Sequence, residues 1–178
     1  MIRSLVTELF CGKILTTINT GIKSESELQT FITRHGIKHF KAREILRPPK
    51  LGGVELLPGS SEVHKCIPIL LLAEEMRREA GSPIKVAWWW RPEDINKQVG
   101  GAKNSDHLYS DAMDFDFTDE ESLMRALRGF VAPIYRTGRF CLSVGIGATR
   151  LHLGCGSIKG NRHWYYPTHR KEAEELFE

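Results

Sequence analysis

The stretch "DAMDFDF", residues 111–117, alternates small or acidic residues with large apolar ones. A period of two fixes the phase of a strand: Ala112, Asp114 and Asp116 face one way, and Met113, Phe115 and Phe117 face the other. The large apolar side chains claim the core, so Asp114 and Asp116 point toward a cleft or solvent. "RLHLG", residues 150–154, repeats the pattern, with His152 opposite Leu151 and Leu153 and therefore also off the core. Upstream, the glycine-rich "VGGAKNSDHLYS" carries His107 seven residues before Asp114. If the two strands pair, His107, Asp114 and His152 converge. Two imidazoles and one carboxylate with an open fourth position make a catalytic zinc set. The spacing alone leaves two readings open, a ligand pair or an ordinary hydrogen-bonded or surface histidine, since the chain has seven histidines.

Around this strand the elements read in order. "SESELQTFITRHG" is a helix opened by a Ser24/Glu27 capping box, with an apolar face of Leu28, Phe31 and Ile32, and stopped by Gly36. A helical turn at "FKAREIL" ends before Pro48 and Pro49, and "LGGVELLPGSS" is loop. "CIPILLLAEEMRREAG" is the most buried helix, with Pro68 in its first turn. "IKVAWWW" is a strand on which Trp89 opposes Trp88 and Trp90, one side for the core and the other to stack on a sugar or line a cleft. "RPEDINKQVGG" is a turn-rich connection. Thr118 and Glu121 cap a helix through about Leu127. "RFCLSVGIG" and "TRLHLGCG" form a hairpin, "RHWYYP" adds a short strand, and "THRKEAEELFE" closes as an amphipathic helix. Helices first and strands later predict an α+β fold with helices packed on an antiparallel sheet. A length of 178 residues suits a single domain.

Composition narrows the partners. A net charge of +3 suits an anionic polymer, but no Lys/Arg run is dense enough for a nucleic-acid stripe. No stretch reaches the length of a membrane span, so neither nucleic acid nor membrane is expected as a partner. Four cysteines without CxxC spacing read as free thiols of a chain made in a reducing compartment. The apolar opening "MIRSLVTELFCGKIL" is interrupted by Glu8 and Lys13 and lacks a small-residue cleavage site, so it does not read as a signal peptide.

"VAWWWRPEDINKQVGGAKNSDHLYSDAMDF" resembles the core of the zinc D-Ala-D-Ala carboxypeptidase and endolysin peptidase family, which shares its fold with the Hedgehog signalling domain. That family runs an apolar strand ending in Arg, then an Asn, then "vGGa..S.H..G.A.D", then a later His. Arg91, Asn96, Gly100, Gly101, Ser105, His107, Ala112 and Asp114 fall in register. His152 fits the later His, and Trp164 of "RHWYY" fits a downstream aromatic. "HFKAREIL" and "ILLLAEEMRREAG" match the small phage-type subgroup. The likeness covers most of residues 39–166, leaving 1–38 as an N-terminal helical extension and 167–178 as the closing helix.

The resemblance implies a Hedgehog/DD-peptidase-like fold with Zn2+ held by His107, Asp114 and His152. It places Arg91 against a substrate carboxylate or scissile carbonyl, Ser105 as a hydrogen-bonding group of the site, and Trp164 beside substrate. The implied activity is hydrolysis of the peptide stem of bacterial peptidoglycan by a phage-encoded metallopeptidase. Such a protein is made in the host cytoplasm and is either carried in the virion among other virion proteins or used at lysis. Two departures from the family stand out. Ser110 stands where a Gly is usual. The acidic residue that relatives carry three positions before or two after the last zinc His is replaced by Thr149 and Gly154. Asp116, sharing a face with Asp114, is the substitute general base, with Asp111 and His163 behind it. The alternative is a catalytically impaired member that serves as a cell-wall-binding or virion structural module.

Overall fold

Ser24 opens helix α1 (Glu25–Arg34), its Oγ accepting from the Glu27 amide at 3.3 Å. The box is half made, because the Glu27 carboxylate accepts from the Lys23 amide at 2.7 Å. The computed structural model describes residues 21–59, 62–156 and 159–178. The apolar opening at residues 1–15, Cys11, most of the N-terminal extension, and Ser60 and Ser61 of the loop lie outside the described residues. Helix α1 turns Leu28 and Ile32 inward and ends at Gly36, where φ is +81°. Helix α2 (Ala42–Leu46) stops before the proline pair, as the restricted residue ahead of a proline requires. Helix α3 (Cys66–Ala80) holds Pro68 in its first turn, where no intrahelical acceptor is needed. It buries Ile69, Leu70, Leu72, Ala73 and Met76 and closes on Gly81 in the left-handed region.

Strand β1 (Ile84–Trp88) is two residues shorter than its apolar run. The segment read as a turn-rich connection contains helix α4 (Glu93–Gln98). Pro92 presets its entry, and Glu93 and Asp94 complement the amides of its first turn. Strand β2 (Ala112–Phe117) follows. Helix α5 (Glu120–Ala126) is capped by Asp119 and Ser122 rather than by Thr118 and Glu121. The Thr118 hydroxyl donates instead to the Pro83 carbonyl at 3.0 Å. The helix runs past Leu127 through a wide π turn (Leu127–Val131) into α6 (Ala132–Arg136), with Pro133 at the junction.

Strands β3 (Ser143–Ile146) and β4 (Arg150–Gly154) form the expected hairpin, and β5 (Arg162–Tyr165) lies beyond it. The closing segment is a 3-10 helix (Lys171–Leu176) anchored by Ala173 and Phe177.

The α+β architecture is as expected: one five-stranded sheet in the order β1-β2-β4-β3-β5 with helices packed on it. All pairings are antiparallel except β5 with β3. Strand β4 is already flanked on both sides, so the chain leaving it reaches the free edge beside β3, and there it runs parallel. One face of the sheet carries Val86, Met113, Phe115, Val144, Ile146, Leu151 and Leu153 into the core with α3 and α5. Burial of each such side chain stabilises the fold by roughly 1.5–3 kcal/mol. Among the described residues no helix is long and apolar enough to cross a membrane. Cys66 and Cys155 are buried free thiols, and Cys141 is exposed.

Candidate metal centre

On the other face of the sheet the register aligns residues in rows across the strands. Trp88, Asp114, His152, Gly145 and Trp164 are successive partners on β1, β2, β4, β3 and β5. Ala112, Gly154, Ser143 and Arg162 make the next row, and Asp116 pairs with Arg150 on the opposite side. A bulge between Val86 and Trp88 brings Trp88 opposite Asp114.

His107 reaches this face from outside the sheet, on a 3-10 turn (Asp106–Tyr109). Ser105 caps that turn, its Oγ accepting from the His107 amide at 3.4 Å. The turn ends at Ser110 with φ +60°, so the backbone there does need the left-handed conformation for which glycine is suited. The approach to the turn depends on two glycines. Gly100 is left-handed, with φ +72°, and a Cβ on Gly101 would lie 2.1 Å from Asn96 Oδ1. Asn96 in turn donates to the Ala102 carbonyl at 2.9 Å, closing the loop.

The three residues meet. His107 Nε2 lies 3.1 Å from Asp114 Oδ1 and 3.1 Å from His152 Nδ1, and His152 Nδ1 lies 2.9 Å from Asp114 Oδ1. All three are buried. Ligand atoms about 2.0–2.1 Å from a tetrahedral zinc sit roughly 3.3 Å apart, close to this spacing. His107 Nδ1 is 2.7 Å from the Trp89 carbonyl, which can only accept, so the neutral ring carries its proton on Nδ1. Its Nε2 then presents a lone pair to a carboxylate. A lone pair and a carboxylate this close are held together by a cation between them, a proton or a metal ion, and the donor set fits zinc. Burial alone would push the Asp114 carboxyl up, but coulombic attraction to His107 and hydrogen bonds from both imidazoles outweigh it and hold it well below the usual carboxylate range. Burial pushes His152 down, against the pull of Asp114. Both shifts favour the ligand forms, carboxylate and neutral imidazole.

The triad opens onto a cleft of about 480 Å³ whose lining includes Arg91, Ser105, Asp106, Trp164 and Tyr166. The Arg91 guanidinium lies over the Trp88 ring at 5.6 Å, and its Nε is buried with no partner among the described residues. Burial lowers its pKa, and the nearby Asp114 carboxylate opposes that shift. Trp164 lies across Gly145, where a Cβ would come within 2.5 Å of the indole, and its ring centre is 5.0 Å from that of His152. Glycine on β3 is what lets the indole reach the site.

Asp116 does not line this cleft. Arg150 binds both its oxygens, at 2.7 and 2.8 Å. Asp111 is paired with Lys65 at 3.1 Å, and the His163 ring is 3.0 Å from the Tyr135 hydroxyl, among Tyr165 and Phe177. Of the three tryptophans on and after β1, Trp89 is in the core with its indole donating to the Ser110 carbonyl, Trp88 is buried beside Arg91, and Trp90 packs on the core edge. None lines the cleft.

Asp106 and Ser143 are the residues sequence reasoning missed. Asp106 lines the cleft and is bound by Arg162 and by the Ser143 hydroxyl, the latter at 2.7 Å. Burial raises its carboxyl, but these two partners outweigh it and hold the group below its ordinary value. Ser143 had a signal in the alternation of "LSVGIG", which puts it in phase with Gly145 on the site face. Asp106 had none, because it sits in a turn.

A family model of Peptidase M15 matches residues 38–144. The matched span holds Arg91, Ser105, His107 and Asp114 and ends before His152 and Trp164, which the sheet brings to them. No curated protein matches the chain.

Proposed function

The chain belongs to the Peptidase M15 family, and on that premise we propose that it is a zinc-dependent peptidase acting on the peptide stem of bacterial peptidoglycan. The observation that carries this reading is the buried convergence of His107 Nε2, Asp114 Oδ1 and His152 Nδ1, each within 3.1 Å of the others. When bound there, zinc supplies Lewis-acid polarisation of a scissile carbonyl and acidifies a coordinated water. The chain supplies the rest. Arg91 lines the cleft, and its guanidinium is the group to meet a stem carboxylate or the developing oxyanion. Trp164 gives one wall of the cleft, and Ser105 fixes the backbone that carries His107. Likeness to the small phage-type subgroup extends the reading to a phage-encoded enzyme, carried in the virion or used at lysis.

One observation favours a second reading, a slow or inactive member that binds cell wall or serves in a virion. The carboxylates lining the cleft are Asp106 and Asp114. One is bound by Ser143 and Arg162, and the other belongs to the triad. Asp116 is held by Arg150. No free carboxylate stands ready among the described cleft residues to take a proton, a role that contributes roughly 10²–10⁴-fold to rate.

Elemental analysis of the purified protein, paired with digestion of whole sacculi, tests both readings. About one zinc per chain is expected, with loss of metal in His107→Ala, Asp114→Ala and His152→Ala. Metal content unchanged in all three variants would overturn the centre. Release of stem-peptide fragments abolished by the same substitutions supports the peptidase. Sedimentation with sacculi and no release supports the second reading. Asp116→Asn is expected to leave metal content and release rate unchanged.

A further inference from the structure

The two nitrogens of His152 face opposite ways. Nδ1 points inward to Asp114 and His107, and Nε2 lies 3.5 Å from the Ser143 hydroxyl. That hydroxyl is 2.7 Å from Asp106 Oδ2, and a carboxylate only accepts, so the Ser143 proton is directed to Asp106. The lone pairs of Ser143 then face the imidazole. The hydrogen bond open between them is Nε2–H donating to Oγ, and when it forms Nδ1 keeps its lone pair inward. Arg162 fixes the far end of this chain by holding Asp106. Asp106, Ser143 and His152 are all buried, so water does not substitute freely for any of them. Gly154 makes room for the arrangement. A Cβ there would lie 2.1 Å from Ser143 Oγ and 3.3 Å from Asp106 Oδ2. The space beside the last ligand strand, where a side chain at position 154 would project, is filled instead by a serine and a carboxylate from two other segments.

We propose that Asp106, acting through Ser143, sets the tautomer of His152 and so presents its Nδ1 to the metal. Asp106 is thus a positioning residue, and the proposal rests on the zinc reading above. Without the relay, the Asp114 carboxylate 2.9 Å from Nδ1 draws the ring proton inward and closes the ligand position. Groups that orient metal-bound histidines in this way are typically worth about 10- to 100-fold in metal affinity.

The test is zinc affinity by competition with a chromophoric chelator, on the full chain, for wild type, Ser143→Ala, Asp106→Asn and the double variant. Each single substitution is expected to weaken zinc by about 10- to 100-fold. Because both act through one relay, the double variant is expected to lose no more than the weaker-binding single. Imidazole ¹⁵N spectra of the zinc-loaded protein supply a signature that general destabilisation does not move. The His152 Nε2–H is expected to exchange slowly with water in wild type and quickly in Ser143→Ala. Affinities within about twofold of wild type in both singles, or losses that multiply in the double, would overturn the proposal. Should Ser143→Ala fail to fold, Asp106→Asn decides alone, since it keeps the side-chain volume. A wild type that binds no zinc overturns the zinc reading itself, which separates the two failures.

Discussion

Ser110 holds a left-handed backbone without being glycine, at φ +60° and ψ 13°. For an L side chain that conformation costs about 1 kcal/mol or more. Its hydroxyl is also buried with no partner among the described residues. Ser110→Gly removes both penalties and adds only the entropy that glycine loses on folding. Net stabilisation of about 0.5–1 kcal/mol is expected, read as a higher midpoint in denaturant at unchanged m-value. A lower midpoint would show that the serine makes a contact the structure does not contain. Gly154 is the converse case. An acidic side chain there cannot be accommodated while Ser143 keeps its place, so the missing acid is not a vacancy waiting to be refilled. Thr149, the other position, is exposed in the β3–β4 turn, where its carbonyl accepts from Phe117. Residue types at special positions were readable from the sequence; which neighbour fills the space of an absent side chain was not, because that depends on packing between segments far apart in the chain.

Among the elements, the strands that carry Asp114 and His152 were legible because period-two alternation is a local property, and both pair in the register that puts the two side chains opposite each other. Helix α4 was not, since Pro92, Gly100 and Gly101 read as turn signals although the six residues from Glu93 close a helix. The cap of α5 lay one residue on, where Asp119 and Ser122 satisfy each other. Helix α3 illustrates a tie that no pattern shows. The Glu74 carboxylate accepts from the amides of Lys38 and His39, at 2.7 and 2.8 Å, and lies 2.5 Å from the His39 ring. Burial pushes this carboxyl up, but the His39 and Lys38 bonds outweigh it and hold it below its ordinary value. A depressed carboxyl contributes stability that is present above the unfolded-state pKa, about 4.3, and is lost as pH falls through the native value. Glu74→Gln is therefore expected to cost about 1 kcal/mol near pH 7, and the gap to wild type is expected to close below about pH 4. Denaturant midpoints measured across that range check it; a gap that stays constant would mean the carboxylate charge plays no part.

At the scale of the molecule, the core and the candidate metal centre lie on opposite faces of the sheet. The helices α3 and α5 pack on β2, whose Met113 and Phe115 share one core with Leu151 and Leu153 of β4, while Asp114 and His152 project the other way from the same strands. The core is complete without an ion, unlike that of a zinc finger, whose folding free energy is the binding free energy. On the zinc reading proposed above, the ion would therefore add stability by mass action alone, RT ln(1 + [L]/Kd), or about 4 kcal/mol at a thousandfold excess over Kd. In a chain of this size each kcal/mol moves Tm by roughly 2–4 °C, so chelation is expected to lower Tm by roughly 8–16 °C. The far-UV circular dichroism at 25 °C is expected to stay that of the folded protein. His152→Ala is expected to melt near the chelated wild type and to be indifferent to chelator. A chelated protein that loses its helical signal at room temperature would show that the turn carrying His107, and the sheet beneath it, depend on the metal for folding.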